Sequence, residues 1–267
     1  MVQWPVAGQG ATNLRSQPAE TYLSAANAGS LIPKWIFTTS GDVSATPTVG
    51  TTAVFVPDWD GNLFAIDLAT GSQLWSHQIS EYDGYAGAVS RVSPALYDSS
   101  IIIGDSESTG APHNGANVIA VNHSTGKILW SYATGGSVID GPSIVSSNLF
   151  WGSGYHKIPP GTANNKVYDF TPAPAVTVTV PVNGSQIPSP VQFKASAASP
   201  NCAKGVASMR IYTAPGVDAY TVDSPSLITS INLSAGAYNT VVQSWDNCGN
   251  VGKTFVTITV TKTSSAM

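Results

Sequence analysis

The sequence predicts an all-β chain of two parts, and three observations support this prediction. The 25 Gly and 18 Pro residues are spread between short runs of Val, Ile, Thr and aromatic residues, which favours many strands and turns over helices. An eleven-residue pattern occurs twice, at 65–75 and 120–130, with Ala, Thr-Gly and Trp at the same offsets. The composition then changes at the Pro-rich residues 172–175, which we interpret as a linker of limited flexibility.

Length, charge and hydropathy limit the possible classes of protein. The 267 residues, 42% hydrophobic and only 10% charged, suffice for one large or two ordinary globular domains. A net charge of −4 with 11 basic residues gives no basic face, so nucleic acid and anionic membranes are poor candidates as partners. No apolar run reaches the roughly eighteen residues that a membrane-spanning helix needs.

The start of the chain is polar and irregular, and we predict a loose lead-in over residues 1–30. Residues 1–5, Met-Val-Gln-Trp-Pro, have neither the basic region nor the apolar core of a signal peptide. The low charge and the strands rich in Ser and Thr are nevertheless typical of an exported protein. We therefore predict a periplasmic or extracellular location.

Each copy of the repeated pattern predicts a hairpin. An apolar run enters a Thr-Gly turn, where Gly71 or Gly126 adopts a positive φ at little cost. A second strand then leaves the turn with Trp75 or Trp130. We expect both Trp side chains to pack between neighbouring sheets.

Strands around these hairpins fall into similar sets, each with a Trp in its outer strand, which is the pattern of β-propeller blades. The third set has only three strands, and the run at 34–38, which carries Trp35, is predicted to supply the missing outer strand. Residues 31–171 are therefore predicted to form a partial β-propeller of about three four-stranded blades. The predicted strands are 43–49, 53–57, 62–67 and 73–79 in the first set, 92–97, 100–104, 117–122 and 127–133 in the second, and 138–145, 148–152 and 166–170 in the third.

The pattern Ala-x-Asp-x-x-Thr-Gly-x-x-x-Trp resembles the tryptophan-docking motif of dehydrogenases that use pyrroloquinoline quinone (PQQ). Residues 41–47, Gly-Asp-Val-Ser-Ala-Thr-Pro, look like the first inner strand of those enzymes. The resemblance covers about residues 4–170 and implies PQQ and calcium as cofactors. Segments similar to the polyvinyl alcohol dehydrogenase branch are 4–5, 13–15, 90–95 and 150–155.

The chain departs from that family in two respects. The resembled enzymes have eight blades, whereas this sequence has strands for three, so we expect a truncated relative whose PQQ-dependent oxidation of alcohols or polyvinyl alcohol is incomplete in this chain. The haem-attachment motif Cys-x-x-Cys-His is also missing, as is the adjacent cysteine pair of many relatives, and we expect no haem c.

By resemblance, Arg91 and Trp151 are the residues most like cofactor-facing positions. The alternatives are that Trp151 fills the core between blades, and that Arg91 pairs with a carboxylate such as Asp140 or is solvated. No residue is assigned a catalytic role. The histidines show no metal-ligand spacing, and Gly-Ser-Gly at 152–154 lacks the length of a nucleophile elbow, so a hydrolase is not supported.

Asp58, Asp60 and Asn62 offer oxygen ligands at alternate positions and are a candidate calcium loop. The segment lacks the downstream bidentate Glu of an EF-hand. An Asp-Gly hairpin turn at 60–61 explains it more simply.

Beyond the linker, residues 176–262 predict an immunoglobulin-like β-sandwich, similar to modules of bacterial secreted proteins, and residues 263–267 a tail. Cys202 and Cys248 both follow strands, in loops at the same end of that fold, and we predict that they form a disulfide. Two buried thiols are the alternative. The predicted strands are 176–180, 191–197, 207–212, 219–222, 227–233, 237–246 and 253–261.

Three blades in one chain leave the ring open or strained. The possibilities are an open arc with exposed apolar faces or a two-fold homodimer that exchanges residues 34–38. The functional hypotheses are a truncated quinoprotein alcohol dehydrogenase and a secreted binding or adhesion protein for a polymer, glycan or protein. A scaffold like the propeller lipoprotein of outer-membrane assembly is a third, although the sequence starts without a lipobox cysteine.

Overall fold

The computed structural model describes residues 6–8, 17, 19–106, 117–145, 148–156 and 162–262. The chain forms two compact units, residues 1–145 with 149–170 and residues 146–148 with 171–267. The regular elements of the described residues are strands apart from two short helices, so the all-β class is confirmed. The predicted tail at 263–267, the segments 4–5 and 13–15, and His113 lie outside the described residues.

The first unit contains two four-stranded antiparallel sheets, in which each strand pairs with the next along the chain. Such sheets are the blades predicted for a β-propeller. The first blade consists of β1 (Thr48–Val49), β2 (Ala53–Pro57), β3 (Asn62–Asp67) and β4 (Gln73–Gln78), followed by a short helix α1 (Ile79–Asp83). The second blade consists of β5 (Ala95–Tyr97), β6 (Ser100–Gly104), β7 (Val118–Asn122) and β8 (Ile128–Tyr132).

The third sheet of the first unit has three strands, β9 (Ser143–Val145), β10 (Asn148–Ser153) and β11 (Lys166–Phe170), in the order β11-β10-β9. β11 is therefore an edge strand that pairs only with β10 among the described residues. One apolar core joins the three sheets, with Phe55 from β2, Ile101 from β6 and Trp151 from β10.

Residues 34–38 form no strand in the described structure. Instead, Trp35 and Phe37 pack on the face of the first blade that points away from this core, against Val54, Val56 and Phe64. β2 is consequently covered on both faces, which explains its uninterrupted apolar sequence. The predicted outer strand is thus not formed within one chain, because no strand edge lies beside it to complete a ladder.

The second unit is a sandwich of two sheets around one core. The larger sheet has five strands in the order β13-β19-β18-β15-β16, the smaller one three in the order β12-β14-β17. In β14, Val191, Phe193 and Ala195 alternate with exposed residues and point into the core, as expected for a half-buried strand. The strands are β12 (Ala175–Val180), β13 (Ser185–Pro188), β14 (Val191–Ala198), β15 (Val206–Ala214), β16 (Val217–Val222), β17 (Ser226–Ile231), β18 (Gly236–Asp246) and β19 (Val251–Thr261).

Candidate functional site

The first candidate site is the contact between the first two blades. Trp75, from β4, donates its indole N–H to the carbonyl of His123 at 3.1 Å. Gly126 lies in the same turn as His123 with φ +67°, and a Cβ there would be 2.3 Å from His77 Cδ2 and 3.0 Å from Trp75 Cε3. Only glycine fits, because any other side chain would meet these rings and adopt a strained backbone.

Trp35 makes the same contact with the first blade. Its indole N–H donates to the carbonyl of Leu68 at 3.1 Å, and Leu68 has the place in the first motif that His123 has in the second. A Cβ on Gly71, which has φ +74°, would lie 2.7 Å from Trp35 Cγ. Trp35 therefore occupies on the first blade the position that Trp75 occupies on the second.

Trp130, the third docking residue, has a different environment. Its ring is 5.2 Å from that of Phe170 and 6.2 Å from that of Tyr132, and 40% of the residue stays exposed. After β11 the chain continues into Pro172 and not into a Thr-Gly turn. Trp130 thus packs on Phe170 of the third sheet and on Tyr132 of its own strand.

Arg91 lies above an aromatic ring. Its guanidinium carbon is 4.3 Å from the ring centroid of Trp59, which donates its indole N–H to Ser44 Oγ at 2.9 Å. Among the described residues, the buried Nε of Arg91 has no hydrogen-bond partner and no ion pair joins Arg91 to Asp140. Such a stacked cation contributes about 0.5–1 kcal/mol where it is partly solvated.

Trp151 lies inside the first unit. The residue is 3% exposed and donates its indole N–H to the carbonyl of Asp140 at 2.6 Å. It packs in the core shared by the three sheets. In this arrangement its ring faces protein on both sides. The contact with a quinone stays a prediction for Trp151, and likewise for Arg91.

The candidate calcium residues form a hydrogen-bonded turn. Asp58 is buried and accepts the N–H groups of Gly41 at 3.0 Å and of Asn62 at 2.8 Å. The hydroxyl of Ser40 and the side-chain amide of Asn62 also donate to it. Donors surround both oxygens, so a calcium ion at this carboxylate would have to displace some of these hydrogen bonds. Calcium at Asp58, Asp60 and Asn62 stays a prediction.

A cleft of about 660 Å³ opens along the third sheet. Its lining includes Asp140, Ser153, Tyr155, Lys166 and Val167. These residues come from β10 and β11, from the segment after β10 and from the segment before β9. The cleft is therefore an open sheet surface with mixed polar and apolar side chains.

The predicted disulfide between Cys202 and Cys248 is confirmed in the second unit. Sequence reasoning missed the buried Asp246 beside it, because no motif marks this residue. Its Oδ2 accepts the hydroxyl of Ser199 at 2.6 Å and the amide of Asn250 at 3.0 Å, and its Oδ1 accepts the backbone N–H groups of Cys248 and Asn250. The two sulfurs near this carboxylate are bonded to each other and offer no thiolate to a metal ion.

Hydrogen bonding decides the ionisation of Asp246. Burial acts to raise the pKa of Asp246, but the hydrogen bonds from Ser199, Asn250 and Cys248 outweigh it and lower the pKa from 3.8 to about 2. Because the folded-state pKa is depressed, the carboxylate stabilises the fold above pH 3.8 and loses this effect as the pH falls toward 2.

We expect Asp246→Asn to destabilise the second unit at neutral pH and to make its unfolding less sensitive to acid. Urea unfolding at pH 7, 4, 3 and 2 should show the difference from the unsubstituted protein narrowing below pH 4. Asp223→Asn, at an exposed carboxylate of the same unit, is the control and should change little. A difference for Asp246→Asn that stays constant with pH would contradict this assignment.

Four-stranded antiparallel blades whose outer-strand Trp binds the Thr-Gly turn of the next blade define a propeller-type repeat protein. Residues 2–158 match the PQQ_2 family, described as outer membrane protein assembly factor BamB. The chain belongs to this family. The predicted resemblance to PQQ repeat proteins is thereby confirmed.

Quinoprotein alcohol dehydrogenase PedH of Pseudomonas putida is 26% identical over 156 residues, which are 54% of this chain and 25% of the relative. The chain thus spans about a quarter of the length of that relative. Quinohemoprotein alcohol dehydrogenase ADHIIG of Pseudomonas putida HK5 is 16% identical with a TM-score of 0.46, covering 74% of this chain and 25% of that one. The quinohemoprotein alcohol dehydrogenase of Comamonas testosteroni is 14% identical with a TM-score of 0.40, covering 93% and 51%.

No helix among the described residues is long and apolar enough to cross a membrane.

Proposed function

We propose that this chain supplies PQQ-type blades to a larger propeller and that its described residues alone do not complete a site for PQQ-dependent oxidation of alcohols or polyvinyl alcohol. The observation that supports this most is the position of Trp151. Its side chain lies in the core, and its indole N–H donates to the backbone carbonyl of Asp140. Arg91 is likewise stacked on Trp59, and the carboxylate of Asp58 already accepts hydrogen bonds on both oxygens. PQQ, when bound by a complete site, accepts the two electrons of alcohol oxidation.

The proposal also covers where the protein works and which fold its second unit has. We propose that the protein works in the periplasm or outside the cell, because its two cysteines form a disulfide, which persists in oxidising compartments. We also propose that the second unit is immunoglobulin-like, since two sheets whose strands pair antiparallel, except for β13 with β19, share one core. The predicted homodimer through residues 34–38 stays a proposal and would give the third sheet a neighbour.

The test is addition of PQQ and calcium to the purified full chain. We expect no dye-linked oxidation of ethanol or polyvinyl alcohol, and PQQ titration should show no saturable quenching of Trp fluorescence. PQQ-dependent turnover by the chain alone would overturn the proposal. If PQQ binds, Arg91→Ala should weaken binding while the control Arg210→Ala should not, and that result would support Arg91 as a cofactor residue.

A binding or adhesion role is the second candidate, because the outward face of the five-stranded sheet carries a row of aromatic and basic side chains. The Arg210 guanidinium lies 5.3 Å from the ring of Trp245 and 5.8 Å from that of Tyr212. Lys253 lies 5.3 Å from the exposed ring of Phe255. Flat aromatic faces beside hydrogen-bond donors suit a polymer or glycan chain. Retention of the full chain on insoluble polysaccharide or cross-linked polyvinyl alcohol, lost in Phe255→Ala but kept in Ile228→Ala, would favour this role.

A further inference from the structure

The segment 34–38 lies where the outer strand of a preceding blade would lie. In β4, Trp75 and His77 face the second blade, where both rings border Gly126. In the segment 34–38, Trp35 borders Gly71 of the first blade, and Phe37 packs edge-on against Phe64 at 5.3 Å. Ile36, between them, points away and is 80% exposed. The alternation and the docking contact are those of an outer strand.

This segment lacks the neighbour that an outer strand has. Among the described residues, no backbone hydrogen bond joins 34–38 to another segment. β4, by contrast, pairs with β3 along its length. Within the part of the chain that the structure describes, the backbone groups of 34–38 are therefore available to a strand edge.

β11, in turn, lacks an outer strand beside it in the described structure. Among the described residues it is an edge strand of a three-stranded sheet, in the place where the first two blades have a fourth strand. Aligning Asp169 with Asp67 places Val167 at the position of Ala65, which pairs with Trp75 in the first blade. Ala65 is fully buried, whereas Val167 is 82% exposed. Ala65 is covered by the outer strand with Trp75 and by the second blade, whereas the described residues supply neither counterpart for Val167.

We infer that a second copy of this chain is the neighbour, and that its segment 34–38 pairs with β11 while its Trp35 stays on its own first blade. This rests on the proposed function, in which the blades build a larger propeller. In the described structure, one chain has an unpaired outer-strand segment before its first blade and lacks an outer strand in its third sheet, so each of two copies supplies the strand that the other lacks. Six blades result, a size within the usual range of propellers.

The side-chain directions agree with this arrangement. Tyr168 and Phe170 of β11 face the second blade, because they pack against Tyr132 and Trp130. Val167 points to the opposite face by strand alternation. If Trp35 of the second copy lies on the same face as Val167, then Ile36 of that copy lies on the opposite face, with Phe170. There it covers Trp130, another exposed apolar residue. No rearrangement of the docked Trp35 is needed.

The first measurement is the mass of the full chain by light scattering at micromolar concentration. We expect twice the 27.6 kDa of one chain. A mass of one chain at every concentration would overturn the inference. If that monomer also fails to turn over alcohol with PQQ, the proposed function stands without the second copy. Turnover by a monomer would overturn both.

The second measurement locates the contact. Because both native cysteines form the disulfide, introduced cysteines are the only free thiols. Mild oxidation of the Ile36→Cys, Lys166→Cys double variant should give a disulfide-linked dimer, because both side chains lie on the same face of the joined strands. The matched control, Ile36→Cys with Val167→Cys, should cross-link several-fold less, because these side chains point to opposite faces. Equal yields for the two pairs would overturn the assigned edge.

Discussion

Replacing Trp75 with Ala is expected to lower the free energy of unfolding of the first unit by about 3 kcal/mol, the lower end of the range for a large aromatic residue in a core. Trp75 is only partly buried, but it fills the space between two blades and binds the carbonyl of His123. Its removal leaves a cavity beside Phe55, whose ring centroid lies 6.0 Å from that of Trp75. The carbonyl also loses its donor, which adds to the cost.

Trp130→Ala is the matched comparison, since Trp130 has the same place in the second motif. We expect a loss of about 1 kcal/mol, because 40% of Trp130 is exposed and its indole N–H has no hydrogen-bond partner among the described residues. Urea unfolding followed by circular dichroism, fitted with separate transitions for the two units, measures both variants. Equal losses would show that the docking contact does not stabilise the pair of blades.

The contact between Trp75 and the second blade can also be tested by substituting Gly126, in the turn that Trp75 binds. Gly126→Ala and Gly135→Ala both place a Cβ on a residue with positive φ, +67° and +76°. Each therefore costs about 1–2 kcal/mol for the backbone. Only the Cβ at Gly126 meets His77 and Trp75, whereas nothing lies within 4 Å of one at Gly135. The excess loss at Gly126, about 1–3 kcal/mol, measures how tightly the blades fit together.

The middle strands of each blade were predictable because their signal is local. The predicted ranges 53–57, 62–67, 100–104 and 166–170 coincide with β2, β3, β6 and β11. The inner strands were predicted too long: 43–49 forms only β1, at Thr48–Val49. Thr46 donates its backbone N–H to the side chain of Ser93, 47 residues away, and so turns toward the neighbouring blade. No local pattern encodes such a contact.

The candidate site was predictable only where two residues form a recognisable pair. Cys202 and Cys248 could be paired because the chain has two cysteines. The stacking of Arg91 on Trp59 joins residues that are far apart in sequence, and a lone Arg has many possible partners. β13 was missed because Ser185–Pro188 combines polar residues with a proline, and its pairing with β19 is parallel and non-local.

Removing the disulfide by Cys248→Ser is expected to lower the free energy of unfolding of the second unit by roughly 3 to 4 kcal/mol in the chain-entropy model. The bond joins residues 46 positions apart, so the unfolded chain gains the freedom of a long loop when it is absent. Cys248 is exposed, and a hydroxyl there causes little direct loss of packing. The same urea experiment should show the second transition shifting while the first stays unchanged. A shift below 1 kcal/mol would mean that other contacts already restrain the two loops.

Asp246 binds both of the loops that the disulfide joins, and its contacts need these loops in place, so its effect should depend on the disulfide. The carboxylate binds Ser199, before Cys202, and the backbone N–H of Cys248, and thus holds the same two loops together. Once Cys248→Ser has freed the loops, Asp246→Asn should cost less than it does in the bridged protein. A double-mutant cycle at pH 7 should therefore give a coupling energy of about 0.5–3 kcal/mol between neighbouring sites. Additive losses would show that the bridge and the carboxylate restrain the loops independently.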